Sequence, residues 1–171
     1  MFKWLFGKKD DQPEVGGNAE LIVVNKRVNV PPERAFAVFV DELDRWWPRD
    51  LTWAKDNLAS IGIDPKVGGF AVERDKRGAA TTWGTVLSVR RPNHLVFAWQ
   101  IRPDREPEPF EGAASRVDVR FVAVESGGTD VVVVHRDFAR HGDGWQAYKN
   151  SMASKQGWPR LIEAYAKAAN G

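Results

Sequence analysis

The chain has no cysteine, so disulfides, thiolate nucleophiles and cysteine-bound metals are excluded, and the composition fits a reducing compartment. Histidine is nearly as scarce. Only His94, His135 and His141 are present, none paired at a metal-ligand spacing, so a histidine-only metal site would need all three to converge. Neither sign of charge dominates: 25 Lys and Arg against 23 Asp and Glu leave +2, and the basic residues are scattered rather than striped, which is not the footprint of a nucleic-acid binder. No apolar run is long enough to span a bilayer, and there is no GxSxG elbow, P-loop or GxGxxG. No cofactor is expected. Tryptophan is what the chain has in excess, with eight residues. Each brings a large apolar surface and one N–H that needs an acceptor when buried, so eight point to a core partly lined by rings or to an aromatic pocket.

The stretch 143–169 organises the rest. Trp145, Tyr148, Met152, Leu161, Ile162, Tyr165 and Ala169 recur there at three- and four-residue steps, the spacing of one long amphipathic helix. Pro159 removes the N–H that would bond the Lys155 carbonyl, which predicts a kink between Gly157 and Pro159. At the other end, residues 1–18 begin with Phe2, Trp4, Leu5 and Phe6 among Lys3, Lys8 and Lys9, then turn polar and rich in Pro and Gly. That apolar part is too short for a signal peptide, and the segment reads as a flexible leader rather than a membrane hook. Residues 19–171 then form a single domain.

Between these ends the pattern is mostly strand. Residues 20–30 are β-branched and end at Pro31 and Pro32, after which Ala35, Phe36, Val38, Phe39 and Leu43 predict a helix of two to three turns closed by Trp46, Trp47 and Pro48. Six further strands are expected at 58–63, 69–74, 81–90, 95–102, 116–125 and 129–138, separated by the turn-formers IDPKVGG, RDKRG, RRPNH, RPDREPEP and ESGG. Connections this short imply antiparallel neighbours. Alternation turns Leu95, Phe97, Trp99 and Ile101 to the core, and likewise Val117, Val119 and Phe121, with Arg116, Asp118 and Arg120 in water. The run DVVVVHRDF is apolar on both faces, so its period leaves the register open.

The motifs RWWP (45–48), DPKVGG (64–69), WGTVL (83–87), HLVFAW (94–99), GGTDVVVVHRDF (127–138) and GWPRL (157–161) follow in that order. Together they resemble the C-terminal-domain family of the heat-shock chaperone ATPase activator, within the SRPBCC superfamily of START-related, polyketide-cyclase-like and birch-pollen-allergen-like proteins. The resemblance covers about residues 20–169. It implies an α+β helix-grip fold: a curved seven-stranded antiparallel sheet wrapped around a long C-terminal helix, with short helices after the first strand and a cavity between sheet and helix. It also implies that Val131, Val133 and His135 face inward; a cytoplasmic location is expected from the lack of cysteine and of a signal peptide.

Three functions follow as expectations. The first is binding of a small apolar or aromatic molecule in the cavity, with Trp46, Trp47, Trp83, Phe97, Trp99, Val119, Phe121, Val133, His135, Trp145, Tyr148 and Met152 as candidate wall; rings of this kind are more often plain core. Trp46 and Trp47 are adjacent and cannot share a helical face, so one is expected to anchor the helix and the other to close a cavity entrance. The second is a cyclase or hydrolase with His135 as acid or base, the only candidate catalytic residue. A structural histidine bonded to a carbonyl or hydroxyl is the commoner case. The third is an interaction module with a chaperone as partner, weakened because the activating branch of the family has an additional N-terminal domain that an eighteen-residue leader does not supply.

Overall fold

The computed structural model describes residues 20–171, so the leader expected at 1–18 lies outside the described residues. Strand β1 (Ile22–Val28) is β-branched and ends before Pro31. Pro32 opens α1 (Pro32–Val40), where a residue without an N–H leaves no bond unmade. This helix stops at Val40 rather than running on to the tryptophans; a separate single turn, α2 (Leu43–Trp46), carries Trp46. Two 3₁₀ turns, Arg49–Leu51 and Lys55–Asn57, lead into β2 (Leu58–Ile63), β3 (Phe70–Asp75), β4 (Ala80–Arg90), β5 (His94–Trp99), β6 (Ser115–Ala123) and β7 (Thr129–Arg136).

The seven strands form one antiparallel sheet in the order β1-β7-β6-β5-β4-β3-β2, so the first strand pairs with the last and Ile22 lies opposite His135. Register shifts within the β2–β3, β3–β4 and β4–β5 pairs are bulges, which increase local twist and curl the sheet into a half-barrel. Val117, Val119, Phe121, Val131, Val133 and His135 all point into the concave side and are buried. Two expectations about the convex side fail. Asp118, expected in water, is only 8% exposed because His94 Nε2 lies 2.7 Å from its Oδ1 and Arg120 reaches it as well. Strand β5 stops at Trp99 because Gln100 turns to the following loop, donating to the Glu108 carbonyl at 2.9 Å while Thr85 donates to its Oε1 at 2.6 Å.

The C-terminal stretch is two helices, α3 (Trp145–Ala153) and α4 (Trp158–Asn170), rather than one kinked helix. Gly157 is the reason. Its φ of −95° and ψ of −128° are not helical, and a Cβ there would sit 2.1 Å from the Met152 carbonyl oxygen. Pro159 falls in the first turn of α4, where its missing N–H costs nothing. Trp158, Leu161, Ile162, Tyr165, Ala166 and Ala169 make the buried stripe of α4, which packs on β1, α1 and α2. Tyr165 donates to the Ala35 carbonyl at 2.9 Å, and the Asn29 N–H donates to Asn170 Oδ1 at 2.7 Å, fixing the middle and the C-terminal end of α4. Among the described residues no helix is long and apolar enough to cross a membrane.

Candidate functional site

Trp46 and Trp47 show how neighbouring rings reach one core by different routes. Trp46 ends α2, whereas Trp47 is extended at φ −64° and ψ 126°, so the backbone changes direction between them and both are buried, 5% and 8% exposed. Trp46 donates to the Val38 carbonyl at 3.0 Å and packs on Phe39 and Tyr165. Phe121 joins that group through Phe36 and Phe39. Trp47 turns instead to Trp83, with ring centres 5.2 Å apart, and to Trp99 at 6.1 Å. Phe97 and Trp158 complete this second aromatic group, 6.4 and 5.8 Å from Trp99. Trp99 is its centre: its indole donates to Tyr148 Oη at 2.7 Å, and Tyr148 donates on to the Ile101 carbonyl at 2.9 Å. Burial pushes the Tyr148 phenol up to about 12, opposed by the Trp99 bond and the charge of Arg105. The Trp83 indole N–H is buried and has no acceptor.

His135 lies behind Trp99, ring centres 5.3 Å apart, with both nitrogens engaged. Trp158 Nε1 can only donate, so His135 Nδ1 accepts at 2.9 Å and its proton is assigned to Nε2. Nε2 therefore donates to Ser115 Oγ at 2.7 Å, which leaves the Ser115 hydroxyl to donate to His141 Nε2 at 2.8 Å. His141 then carries its proton on Nδ1, a buried atom with no partner. Burial first, and the neighbouring His141 second, hold the His135 imidazole well below the usual histidine range. His141 is lowered too, mainly by burial. Asp137 does not join this face: the strand ends at Arg136, and Asp137 adopts a left-handed φ of 63°.

Free space lies at the break between α3 and α4. A chamber of about 30 Å³, the share of one water molecule in the liquid, is walled by Trp47, Trp99, Met152 and Leu161, with Gln156 and Gly157 at the break itself. Leu51, Ile101 and Arg105 border it on the outside. The same three border a surface groove of about 390 Å³ that continues over Asp50, Thr52, Trp53, Lys55 and Glu106. Of the candidate wall residues, Trp47, Trp99 and Met152 line the chamber, and Trp83, Phe97, His135 and Tyr148 stand against Trp99 behind it. Trp46 and Phe121 belong to the other ring group, Val119 and Val133 are register partners inside the sheet's core, and Trp145 sits half-buried at the start of α3. Sequence reasoning missed Leu51, Ile101, Arg105, Gln156, Gly157 and Leu161 as a lining, and Ser115, His141 and Trp158 as partners of His135. Trp158 alone had a signal, as an indole beside the helix-breaking Gly157 and Pro159.

Residues 29–169 match the family described as activator of Hsp90 ATPase homolog 1-like protein. The chain belongs to this family. Solved structures agree with that fold. An anthrahydroquino-gamma-pyrone synthase is 28% identical, with 88% of this chain and 99% of that one covered at a TM-score of 0.61. The self-sacrificing resistance protein CalC from Micromonospora echinospora is 24% identical, with 89% and 96% covered and a TM-score of 0.61. A protein from Arthrobacter aurescens, 16% identical, covers 92% and 90% with a TM-score of 0.64 and speaks to the fold alone. No curated protein matches the chain. In this activator of Hsp90 ATPase homolog 1-like chain, the chamber lies between sheet and C-terminal helices, where the resemblance placed a cavity, with buried side chains packed around it, Trp83, Trp99 and Trp158 among them.

Proposed function

We propose that the protein binds a small, flat apolar or aromatic molecule where the sheet meets the α3–α4 break. One observation carries this reading: an interior chamber lies against two indoles, Trp47 and Trp99, and three of its bordering residues also border an open groove. A ring needs more than 30 Å³, so Leu51 and Met152 swing aside on entry, and the unbranched methionine adapts readily. Burying about 250 Å² of apolar ligand surface contributes roughly 6 kcal/mol before ordering costs, consistent with modest affinity without strong polar contacts. The 28% identical neighbour is by name a synthase of an aromatic compound, which agrees with a wall of indoles. His135 serves as a fixed support behind that wall, since both its nitrogens are already bonded and its ring is fully buried.

Calorimetric titration with the neutral probe 1-naphthamide tests the site. Leu51→Trp, which adds bulk at the outer border of the chamber, is expected to weaken binding about tenfold or more. A variant that binds within twofold of wild type removes the assignment.

A second reading has its own observation. Val67 in the β2–β3 connection and Phe70 at the start of β3 are 69% and 55% exposed, and we infer that this apolar surface would serve a chaperone-directed role.

A further inference from the structure

From the charges around the chamber we infer that the ligand is an anionic ring compound, its ring on Trp47 and Trp99 and its acid group held at the rim by Arg105 and Lys55. This rests on the binding reading above and specifies the class of molecule. Among the described residues Arg105 is the only charged one that borders the chamber, so the charge nearest a seated ring is positive and no described carboxylate opposes it there. In the outer groove Asp50 is already neutralised by two bonds to Arg160, at 2.6 and 2.9 Å, which leaves Lys55 and Arg105 against Glu106.

Backbone geometry points the same way. Among the described residues three that are not glycine have a left-handed φ, and two of them are these cations, Lys55 at 49° and Arg105 at 71°. Such a conformation is unfavourable for a long side chain and persists where the surroundings enforce it. Here the Trp53 indole donates to the Arg105 carbonyl at 2.8 Å, and the Arg105 N–H donates to the Arg102 carbonyl at 2.8 Å. Before Lys55, Glu73 accepts from the N–H groups of Trp53 and Ala54 at 3.2 and 2.9 Å, while Thr52 Oγ1 accepts from Lys55 itself at 2.9 Å. Both cations are thus presented from anchored turns on either side of Trp53. A guanidinium beside an apolar floor suits a planar carboxylate, which it can hold through two parallel bonds.

The test compares 1-naphthoate with its neutral isostere 1-naphthamide by calorimetry, on the wild type, Arg105→Gln and Lys55→Gln. Among the described residues no ion pair is formed by Arg105 or Lys55, and thermal melting of each variant checks that it remains folded. Wild type is expected to bind the acid about tenfold more tightly than the amide, a preference that declines with added salt. Arg105→Gln is expected to reduce that preference to within about twofold, and Lys55→Gln to reduce it in part. Equal affinity of wild type for both probes, or a preference unchanged in Arg105→Gln, overturns the inference while leaving the binding site in place. Binding of neither probe removes the site and the inference together.

Discussion

At the scale of single residues, the chain Trp158–His135–Ser115–His141 makes the sharpest commitments, because the indole N–H at its start fixes the direction of each bond that follows. Ser115→Ala leaves the buried His135 Nε2–H without a partner and is expected to cost about 1–3 kcal/mol in chemical denaturation. The pH dependence follows from the lowered histidines. As pH falls through about 6.5 the unfolded chain takes up a proton at His135 that the folded chain refuses, so stability is full above that pH and declines below it. The slope from His135 approaches about 1.4 kcal/mol per pH unit between 6.5 and its folded pKa. Denaturation at pH 7.5 and 5.5 should therefore show a smaller acid loss for His135→Gln than for wild type, even if the variant is less stable throughout. His135 itself was legible because it interrupts an apolar run, and its hydroxyl partner was among the foreseen kinds. Its actual partners were not legible: Ser115 reaches it through the β6–β7 pairing, and Trp158 through a helix start whose position depends on tertiary contact.

At the scale of elements, the break between α3 and α4 decides where the chamber lies. Gly157→Ala places a methyl group against a backbone carbonyl that cannot move alone, and is expected to cost about 3 kcal/mol or more in thermal or urea unfolding. Pro159→Ala, in contrast, should change stability by less than about 1 kcal/mol and leave the two helices separate, because Gly157 and not the proline enforces the break. The amphipathic period runs through 143–169 almost undisturbed, which is why the sequence reads as one helix with a kink. Periodicity reports which residues face the core. It carries no information about how closely a glycine approaches the previous turn. The same limit applied between α1 and α2, where Leu43 and Trp46 keep an inward direction although the helix has stopped.

At the scale of the molecule, the antiparallel succession of β2 to β7 and the inward faces were readable because period-2 alternation and turn residues agreed along most of the chain, and because six motifs stood in family order, whereas the place of β1 beside β7 was not. The outer layer was not readable: Asp118 and Gln100 look like solvated positions until His94, Thr85 and the 102–114 loop come to cover them. The lining of the chamber was hidden for the same reason, since Leu51, Arg105 and Gln156 come from three connections that no local pattern brings together. The chaperone reading belongs to this scale too. It predicts that the protein stimulates a Hsp90-type ATPase and that Val67→Ser with Phe70→Ser abolishes the stimulation; an ATPase rate indifferent to the wild-type protein rejects it. One feature of the ring group reaches beyond packing. Trp46, Trp47, Trp83, Trp99 and Trp158 stand in a connected series with centres 5.2 to 6.1 Å apart, too close for their excited states to be independent. Light absorbed by any of them migrates through the series and leaves from the member of lowest energy, so a guest resting on Trp47 alone would dim the emission of all five.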